Sequence, residues 1–389
     1  MRSLERGIRE AFVVGLGISI SLAQSALAAL VALQLLRLRD PQARSALVFP
    51  LAGPFLGFIA AGLLSAFLSA DVSRSLYLSK DLLLIAVFFL LVNTLRGPAG
   101  AEWLLGRLLL VMAGVSVWSV LQVGLCSPEP WPVPLLDRWL TRCWRARGFY
   151  SIYMTLAGVL TLVLLASLPR FLVRGSAHRR WELPAWVLML LALVLTLTRG
   201  AWVGFLGGVA GLASLVSQRR VVVLAGGSIL LLFLLVAVGT ATLGRGIGLR
   251  NLADPTTVRD RLYMWQAGVR MMEVNPITGI GRGQVRYLYP RYVSPQAPVQ
   301  RRGHLHNSPL QVLVERGLLG FGCWLWLWGA FFARGLGILK RAGSAQLRER
   351  ALVTGSLAAI LGFLVAGLTE FNFGDAEVVM VAYALMTIP

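Results

Sequence analysis

The chain has 389 residues, of which 57% are hydrophobic and only 14% are charged, and its mean hydropathy is +0.72. This composition excludes a soluble globular domain and indicates a membrane protein. The formal net charge of +20 would suggest nucleic acid in a soluble protein, but here the charges are confined to short segments between apolar runs. We therefore expect membrane lipids as partners and no nucleic acid.

Apolar runs long enough to cross a hydrocarbon core of ~30 Å recur along the whole chain. They predict spans near 9–21, 22–37, 46–69, 80–95, 104–124, 148–170, 183–198, 200–217, 221–243, 309–333, 350–369 and 374–388. The first two runs can also be read as one long helix. Splitting them keeps the basic N-terminal end cytoplasmic, as the positive-inside rule requires. The sequence thus predicts an all-α, polytopic transmembrane bundle of about 12 spans, organised as a single domain over residues 1–389.

With that split, the short basic connections between spans fall on the cytoplasmic side. They contain Arg37, Arg39, Arg44, Arg170, Arg174, Arg179, Arg180, Arg219, Arg220, Arg334, Lys340, Arg341, Arg348 and Arg350. The one long loop, near 244–308, then lies outside, and it carries ten arginines against three acidic residues. One interpretation is a surface that faces lipid headgroups. The other is a phosphate-binding loop, because the planar guanidinium group matches phosphate oxygens.

Within this loop, the segment from Pro255 to Pro276 predicts an amphipathic helix. Its apolar stripe consists of Val258, Leu262, Trp265, Val269 and Met272. Its polar face carries Arg259, Gln266 and Arg270, with Arg261 at the border near Trp265. Such a helix is expected to lie at the membrane interface with its apolar side down. Its arginines then either contact lipid phosphates generally or bind a specific substrate.

Two further features involve a helix start and a glycine-rich turn. Arg199 opens the span near 200–217, where a helix N-terminus already favours anions. The alternative is an ordinary boundary arginine. Gly279, Gly281 and Gly283 indicate a tight backbone turn, but their spacing is not that of a dinucleotide-binding loop.

His304 and His306 stand just before the span that begins near Pro309. A metal site is the weaker interpretation because no carboxylate or cysteine cluster accompanies them, so we expect no metal and no cofactor. A general base is the stronger interpretation, since histidine titrates near neutrality and can accept a proton from a sugar hydroxyl.

Cys126 and Cys143 share one outward loop and are candidates for a disulfide in an oxidising compartment.

Several motifs resemble those of the O-antigen ligase and polymerase superfamily. The ligase pattern of His, then Asn/Ser/Gln, nine residues, Gly, two residues and Gly/Thr/Tyr fits His306, Asn307, Gly317 and Gly320. Arg199 lies in a Thr-Arg-Gly segment like that of the family, and Arg261 with Trp265 matches its Arg-x-x-x-Trp loop helix. The segment opening the sixth span is similar at Arg145, Gly148, Thr155 and Ala157.

The resemblance implies a membrane transferase of the bacterial inner membrane whose active site faces the periplasm. Such enzymes take a glycan from an undecaprenyl-pyrophosphate carrier and join it to an acceptor hydroxyl, without metal or nucleotide. In ligases the acceptor is the lipid A-core oligosaccharide, and in polymerases it is another carrier-linked glycan. The spacing from His306 to Gly320 favours a ligase over a polymerase.

Physical chemistry suggests a role for each candidate. Expelling a lipid pyrophosphate needs positive charge, for which Arg199 and Arg261 are the candidates. The attacking hydroxyl needs a base, for which His306 is the candidate, and direct attack would invert the anomeric centre. Together these three residues form the predicted catalytic set. The residues predicted to bind substrate are Arg145, Arg147, Arg259, Arg301, Arg302, His304 and Asn307.

A lipid or polysaccharide transporter is the main alternative from another class. Transporters place ionisable residues near the bilayer midplane. In this sequence the acids near spans lie at or close to the span ends, and they are Asp81, Glu315, Glu370, Asp375 and Glu377. A purely structural scaffold would not need the His-Arg loop. The transferase is therefore the preferred interpretation.

Overall fold

The computed structural model describes residues 2–127, 129–130, 132–141, 143–172, 179–215, 226–227, 255–343 and 346–389. Within these residues the chain forms α- and 3₁₀-helices and no β-strand, which confirms the all-α prediction. The expected span near 221–243 lies outside the described residues except for 226–227, as does the start of the long loop, 244–254.

The described residues form a bundle of helices. In the first half they are α1 (Arg2–Ile18), α2 (Ile20–Arg37), α3 (Pro41–Ser45), α4 (Ala52–Phe67), α5 (Val72–Leu78), α6 (Ala86–Thr94), α7 (Gly97–Gly124), α8 (Pro134–Leu140) and α9 (Tyr153–Ser167). In the second half they are α10 (Arg179–Leu195), α11 (Arg199–Leu215), α12 (Pro255–Met272), α13 (Val285–Tyr292), α14 (Ser308–Arg341), α15 (Leu347–Gly367) and α16 (Ala376–Met386). Three 3₁₀ segments occupy Ser79–Ile85, Leu168–Leu172 and Asn372–Gly374.

Six helical stretches among the described residues are long and apolar enough to cross a membrane. They are Ile20–Arg37, Val72–Thr94, Gly97–Gly124, Tyr153–Phe171, Ser308–Arg341 and Leu347–Gly367. Ala52–Phe67 and Ala376–Met386 are shorter apolar helices. The chain therefore has the helices of a polytopic membrane protein, whereas the predicted count of about 12 spans is not confirmed.

The first two apolar runs form separate helices, as the sequence predicts, and the break falls at Ser19. The Ser19 side chain caps α2 by accepting a hydrogen bond from the Leu22 amide at 3.4 Å. A Cβ on Gly15 would lie 2.5 Å from the backbone nitrogen of Ala23, so only glycine allows the two helices to approach this closely. The turn between α1 and α2 is therefore a tight helical hairpin.

Helices α9 and α15 are the most buried of the candidate spans, and α11 packs against α15 through small residues. A Cβ on Gly204 would lie 2.6 Å from the carbonyl oxygen of Gly362, and one on Gly208 would lie 2.8 Å from that of Ala358. Small residues allow helix backbones to approach closely where packing, rather than water exclusion, drives association. This tight contact fixes the N-terminal end of α11 relative to the end of α15.

The amphipathic helix of the long loop is present as α12 (Pro255–Met272), and it has two apolar faces. The predicted stripe is largely exposed, with Val258 at 58%, Leu262 at 48% and Val269 at 45% exposure. A second face, not predicted, carries buried residues that pack in a small core with α13 and the start of α14. Its α12 members are Met264, Ala267 and Met271.

Helix α14 is broken at Gly317, and a loop segment inserts its backbone into the break. Gly317 has φ 64° and ψ −172°, a conformation that only glycine adopts readily. The amides of Ile280 and Gly281 donate to the carbonyls of residues 314 and 315, both at 3.0 Å. The amides of residues 318 and 319 donate to the carbonyls of residues 276 and 277, at 2.8 and 3.1 Å. The loop thus supplies the hydrogen bonds that the break removes from the helix.

Gly279, Gly281 and Gly283 of this segment all have positive φ, between 75° and 96°. A Cβ on Gly279 would lie 2.5 Å from the backbone nitrogen of Gly317. The glycines are therefore structural, as predicted from their spacing.

Replacing Gly317 with Ala should destabilise the protein strongly. The new Cβ would lie 2.2 Å from the carbonyl oxygen of Ile277, and the backbone strain alone costs about 1–3 kcal/mol. Gly322→Ala is the matched control, because it lies in the same helix with no atom within 4 Å of its Cβ position. Thermal melting in detergent measures the effect. Equal melting temperatures for the two variants would show that the break does not constrain the fold.

Candidate active site

The centre of the site is Glu370, which follows the end of α15. Arg261 Nη2 donates to Glu370 Oε1 at 2.8 Å, and His306 Nδ1 lies 3.0 Å from Glu370 Oε2. The Glu370 side chain is only 12% exposed. One carboxylate therefore joins the arginine of α12 to the histidine that precedes α14.

The N-terminal end of α14 holds the segment that carries Glu370. Asn307 Nδ2 donates to the carbonyl of Leu368 at 2.9 Å. Ser308 Oγ donates to Asn372 Oδ1 at 2.8 Å and accepts from the Phe373 amide at 3.2 Å. These contacts lie on both sides of Glu370 in the chain, so its position is fixed from α14.

His306 is held by its neighbours in an uncommon backbone conformation. Its φ is 47°, in the left-handed region, which is found disproportionately at functional sites. On one side, Asn307 Oδ1 accepts from the Leu310 amide at 2.8 Å and caps α14. On the other, Trp265 Nε1 donates to the carbonyl of Leu305 at 3.2 Å, which ties the histidine segment to α12.

Arg199 begins α11, as predicted, and this helix end touches the Glu370 segment. A Cβ on Gly200 would lie 2.6 Å from Thr369 Oγ1 and 3.0 Å from Glu370 Cγ. Glycine at position 200 therefore lets the helix N-terminus approach the carboxylate. The fixed partial positive charge of that terminus adds to the charge of Arg199.

Arg145 joins the same cluster from the connection before α9. Its Nε donates to the carbonyl of Thr196 at 2.9 Å, and its guanidinium carbon lies 3.5 Å from the ring centroid of Tyr153. Burial lowers the pKa of Arg145, the charge of Glu370 opposes this shift, and the charge of Arg199 adds to it. Arg261 thus pairs with Glu370, Arg145 senses the charge of Glu370, and Arg199 begins the helix whose N-terminal end contacts the Glu370 segment.

The remaining predicted arginines have other contacts or are exposed. Arg302 forms an ion pair with Asp260, and the Arg147 guanidinium lies 5.5 Å from the Trp139 ring centroid. Arg259 and Arg301 are exposed. Asn307 uses both atoms of its amide on the protein itself. A substrate contact for each of these residues stays a prediction.

His304 packs edge-on against His306, with 4.2 Å between the ring centroids. Burial, together with the neighbouring His306, lowers the pKa of His304 to about 4. His304 is therefore neutral at neutral pH, which keeps a second positive charge away from His306. The described part of the chain contains no group of three or more His, Cys, Asp or Glu placed to hold a metal ion.

A second charged cluster lies where the loop segment enters the break in α14. Arg282 donates to Asp81 at 2.9 Å and to Glu315 at 2.8 Å, and Arg316 donates to Asp81 at 3.1 Å. Glu315 is 2% exposed and also accepts from the Gly283 amide at 2.8 Å. Glu315 is thus buried two residues before the break at Gly317 and fully engaged by neighbouring donors.

The connection between α7 and α9 contains a disulfide between Cys126 and Cys143, with Cα atoms 5.5 Å apart. It links the end of α7 to the segment that carries Arg145. The pairing suggested by their shared loop is thus present in the structure.

Part of the chain, including some residues of the cluster, matches a known family model. Residues 184–325 match the family described as O-antigen ligase, and this range contains Arg199, Arg261 and His306. The match confirms the family resemblance, while Arg145 and Glu370 lie outside the matched range. Among curated proteins, none matches this chain.

Acidification should destabilise the protein through His304. Because its pKa falls from 6.5 to about 4 on folding, stability is unaffected above pH 6.5 and is lost as the pH falls toward 4. The difference corresponds to about 3 kcal/mol. We expect His304→Gln to lose less thermal stability than the wild type between pH 7 and pH 4.5, as measured by melting in detergent. Parallel pH curves for the two proteins would contradict a neutral, buried His304.

Proposed function

We propose that this chain, whose residues 184–325 match the O-antigen ligase family, is a metal-independent membrane glycosyltransferase. It would move a glycan from undecaprenyl pyrophosphate to a hydroxyl of the lipid A-core oligosaccharide at the periplasmic face of the bacterial inner membrane. The observation that carries this proposal is the contact of Glu370 with both His306 and Arg261. A base and a phosphate-binding group thereby lie side by side.

In this proposal His306 is the general base. A carboxylate at Nδ1 favours the tautomer in which Nδ1 carries the proton and donates it to Glu370. Nε2 is then the nitrogen that accepts a proton. An acceptor hydroxyl bound beside Nε2 loses its proton to His306 as its oxygen attacks the anomeric carbon.

The leaving group is the undecaprenyl diphosphate. As the new C–O bond forms, the bond from the anomeric carbon to the diphosphate oxygen breaks, and the electron pair departs with the diphosphate. Arg199 and Arg261 stabilise the charge that develops there, with Arg145 beside them. Attack opposite to the leaving group inverts the anomeric centre.

The exposed apolar face of α12 supports a site at the membrane surface. Val258, Leu262 and Val269 lie on this face, and Val274 and Ile277 continue it with 50% and 60% exposure. An exposed apolar stripe on an amphipathic helix is suited to the boundary between headgroups and acyl chains. Arg261 would then lie at the depth of a lipid-linked diphosphate.

Reconstitution with two acceptors tests the proposed reaction. Purified protein in liposomes receives an undecaprenyl-pyrophosphate-linked glycan together with lipid A-core or with a second carrier-linked glycan. We expect product on lipid A-core, and we expect His306→Ala to reduce transfer by about 10²–10⁴-fold through loss of the base. Arg291→Ala, an exposed arginine of the same loop, is the matched control and should retain transfer.

Each outcome of this assay has a distinct meaning. A ladder of products on the carrier would instead support a polymerase, the alternative within the same superfamily. If no product forms with either acceptor, the transferase proposal is contradicted. If the His306→Ala variant transfers the glycan at the wild-type rate, His306 is not the general base, but the transferase proposal still stands.

Glu370→Gln tests the contact that carries the proposal. The amide keeps the size of the side chain but loses the charge that orients and stabilises the His306 imidazole. Changes to the partner of a functional histidine typically cost about 10–100-fold, so we expect a fall of that size in the transfer rate. The pH dependence of the rate should also change, which a purely structural role would not cause. Unaltered rate and pH profile would show that Glu370 is not a functional partner of His306.

A further inference from the structure

A fully buried glutamine, Gln311, lies in the first turn of α14 and reaches back out of the helix. Its Oε1 accepts from the amide of Leu305 at 2.8 Å, and its Nε2 donates to Glu315 Oε1 at 2.9 Å. The start of α14 does not need this side chain as a cap, because Asn307 already accepts from the Leu310 amide. The glutamine thus joins the helix to the segment that precedes it.

The two contacts of Gln311 require a donor and an acceptor at the tip of one side chain. The Leu305 amide needs an acceptor, the Glu315 carboxylate needs a donor, and a glutamine amide offers both. Leu305 and Glu315 are 0% and 2% exposed, so neither is open to bulk water. Loss of the Gln311 amide would therefore remove the acceptor of a buried N–H, which is costly.

The Glu315 end of this connection is fixed by two further hydrogen bonds. Arg282 Nη1 donates to Glu315 Oε2, and the Gly283 amide donates to Glu315 Oε1, each at 2.8 Å. Both donors belong to the glycine-rich loop segment that fills the break in α14. The side chain of Gln311 therefore connects this inserted segment to the backbone of Leu305.

The other end of the connection is the residue that precedes His306. The Leu305 carbonyl accepts from Trp265 Nε1 at 3.2 Å, so both polar groups of this backbone unit are bound by side chains from other parts of the chain. His306 follows with a φ of 47°, a strained conformation that persists only where the surrounding structure holds it. Gln311 and Trp265 supply that constraint on the N-terminal side of the histidine.

We propose that Gln311 is a positioning residue for His306. By holding the backbone of Leu305, it keeps His306 in its left-handed conformation and keeps the imidazole 3.0 Å from Glu370. Gln311 itself is fully buried and does not contact substrate. The effect on catalysis rests on the proposed function, whereas the effect on the imidazole can be measured without any substrate.

Gln311→Met tests this inference, because methionine has a chain of similar length and lacks the amide donor and acceptor. Ser65→Ala is the matched control. Ser65 is 1% exposed and its Oγ donates to the carbonyl of Glu315 at 2.6 Å, so this variant also removes a buried hydrogen bond to α14. It leaves the contact of Gln311 with Leu305 in place. Melting in detergent should show a loss of stability in both variants.

The first measurement is nuclear magnetic resonance of protein labelled in the ring nitrogens of histidine. These signals report the tautomer and hydrogen bonding of each imidazole, and the His306 signal is identified by its loss in His306→Ala. We expect Gln311→Met to shift the His306 signal by altering the contact with Glu370, and Ser65→Ala to leave it unshifted. An unshifted signal in Gln311→Met, or equal shifts in the two variants, would overturn the inference.

The second measurement is glycan transfer in the liposome assay. We expect Gln311→Met to lower kcat by about 10–100-fold with little change in the KM for the donor, because a displaced base slows the chemical step and Gln311 does not touch the donor. Ser65→Ala should keep the wild-type kcat. A rise in KM without a loss of kcat, or an equal fall in kcat for Ser65→Ala, would contradict a positioning role.

The two measurements separate failure of this inference from failure of the proposed function. If the wild type transfers no glycan, the proposed function fails and the His306 signal alone decides the inference. If the wild type transfers glycan and the signal is unshifted in Gln311→Met, only the inference fails. Should Gln311→Met not fold, Gln311→Asn replaces it with the same expected results, because its amide is one methylene too short to reach both Leu305 and Glu315.

Discussion

The break in α14 is the constraint on which the rest of the structure depends. At Gly317 the helix lacks several of its backbone hydrogen bonds. Unpaired backbone groups are costly in an apolar environment, and the segment 276–281 supplies hydrogen-bond partners for them from outside the helix. The long loop is therefore part of the bundle and not an appendage to it. Because the same helix begins at Ser308, the exchange also fixes the distance from the inserted segment to the cap at Asn307 and to His306.

The carboxylate of Glu370 reduces the electrostatic repulsion between neighbouring arginines. Arg145 and Arg199 lie close enough to repel each other, and like charges repel more strongly in a partly buried region than in water. The charge of Glu370 opposes this effect at Arg145, and its two oxygens contact Arg261 and His306. The cluster keeps an excess of positive charge. The proposed binding of a diphosphate requires several cationic groups in fixed positions.

The sequence predicted an all-helical chain with membrane-spanning helices, since apolar run length is a local signal, but its count of about 12 spans is not confirmed. It also predicted the helix start at Arg199, the loop helix with Arg261 and the tight glycine turn. It did not predict the role of Glu370, because a lone acid after an apolar run has the pattern of an ordinary span end. The pairing of Arg282 with Asp81 and Glu315 joins residues far apart in the chain, which no local pattern encodes. Likewise, the helical periodicity of the α12 sequence predicted its exposed apolar stripe but not its second, buried face.

The connection between α15 and α16 links the two regions that the structure sets side by side. Glu370 contacts His306, while Phe373 and Asp375, a few residues later, line a cavity of about 700 Å³ that α2 and the 3₁₀ segment Ser79–Ile85 also border. Ser308 binds this connection between those positions, so neither end can shift without the other. A short segment anchored by Ser308 therefore borders both the charged cluster around Glu370 and the mostly apolar cavity.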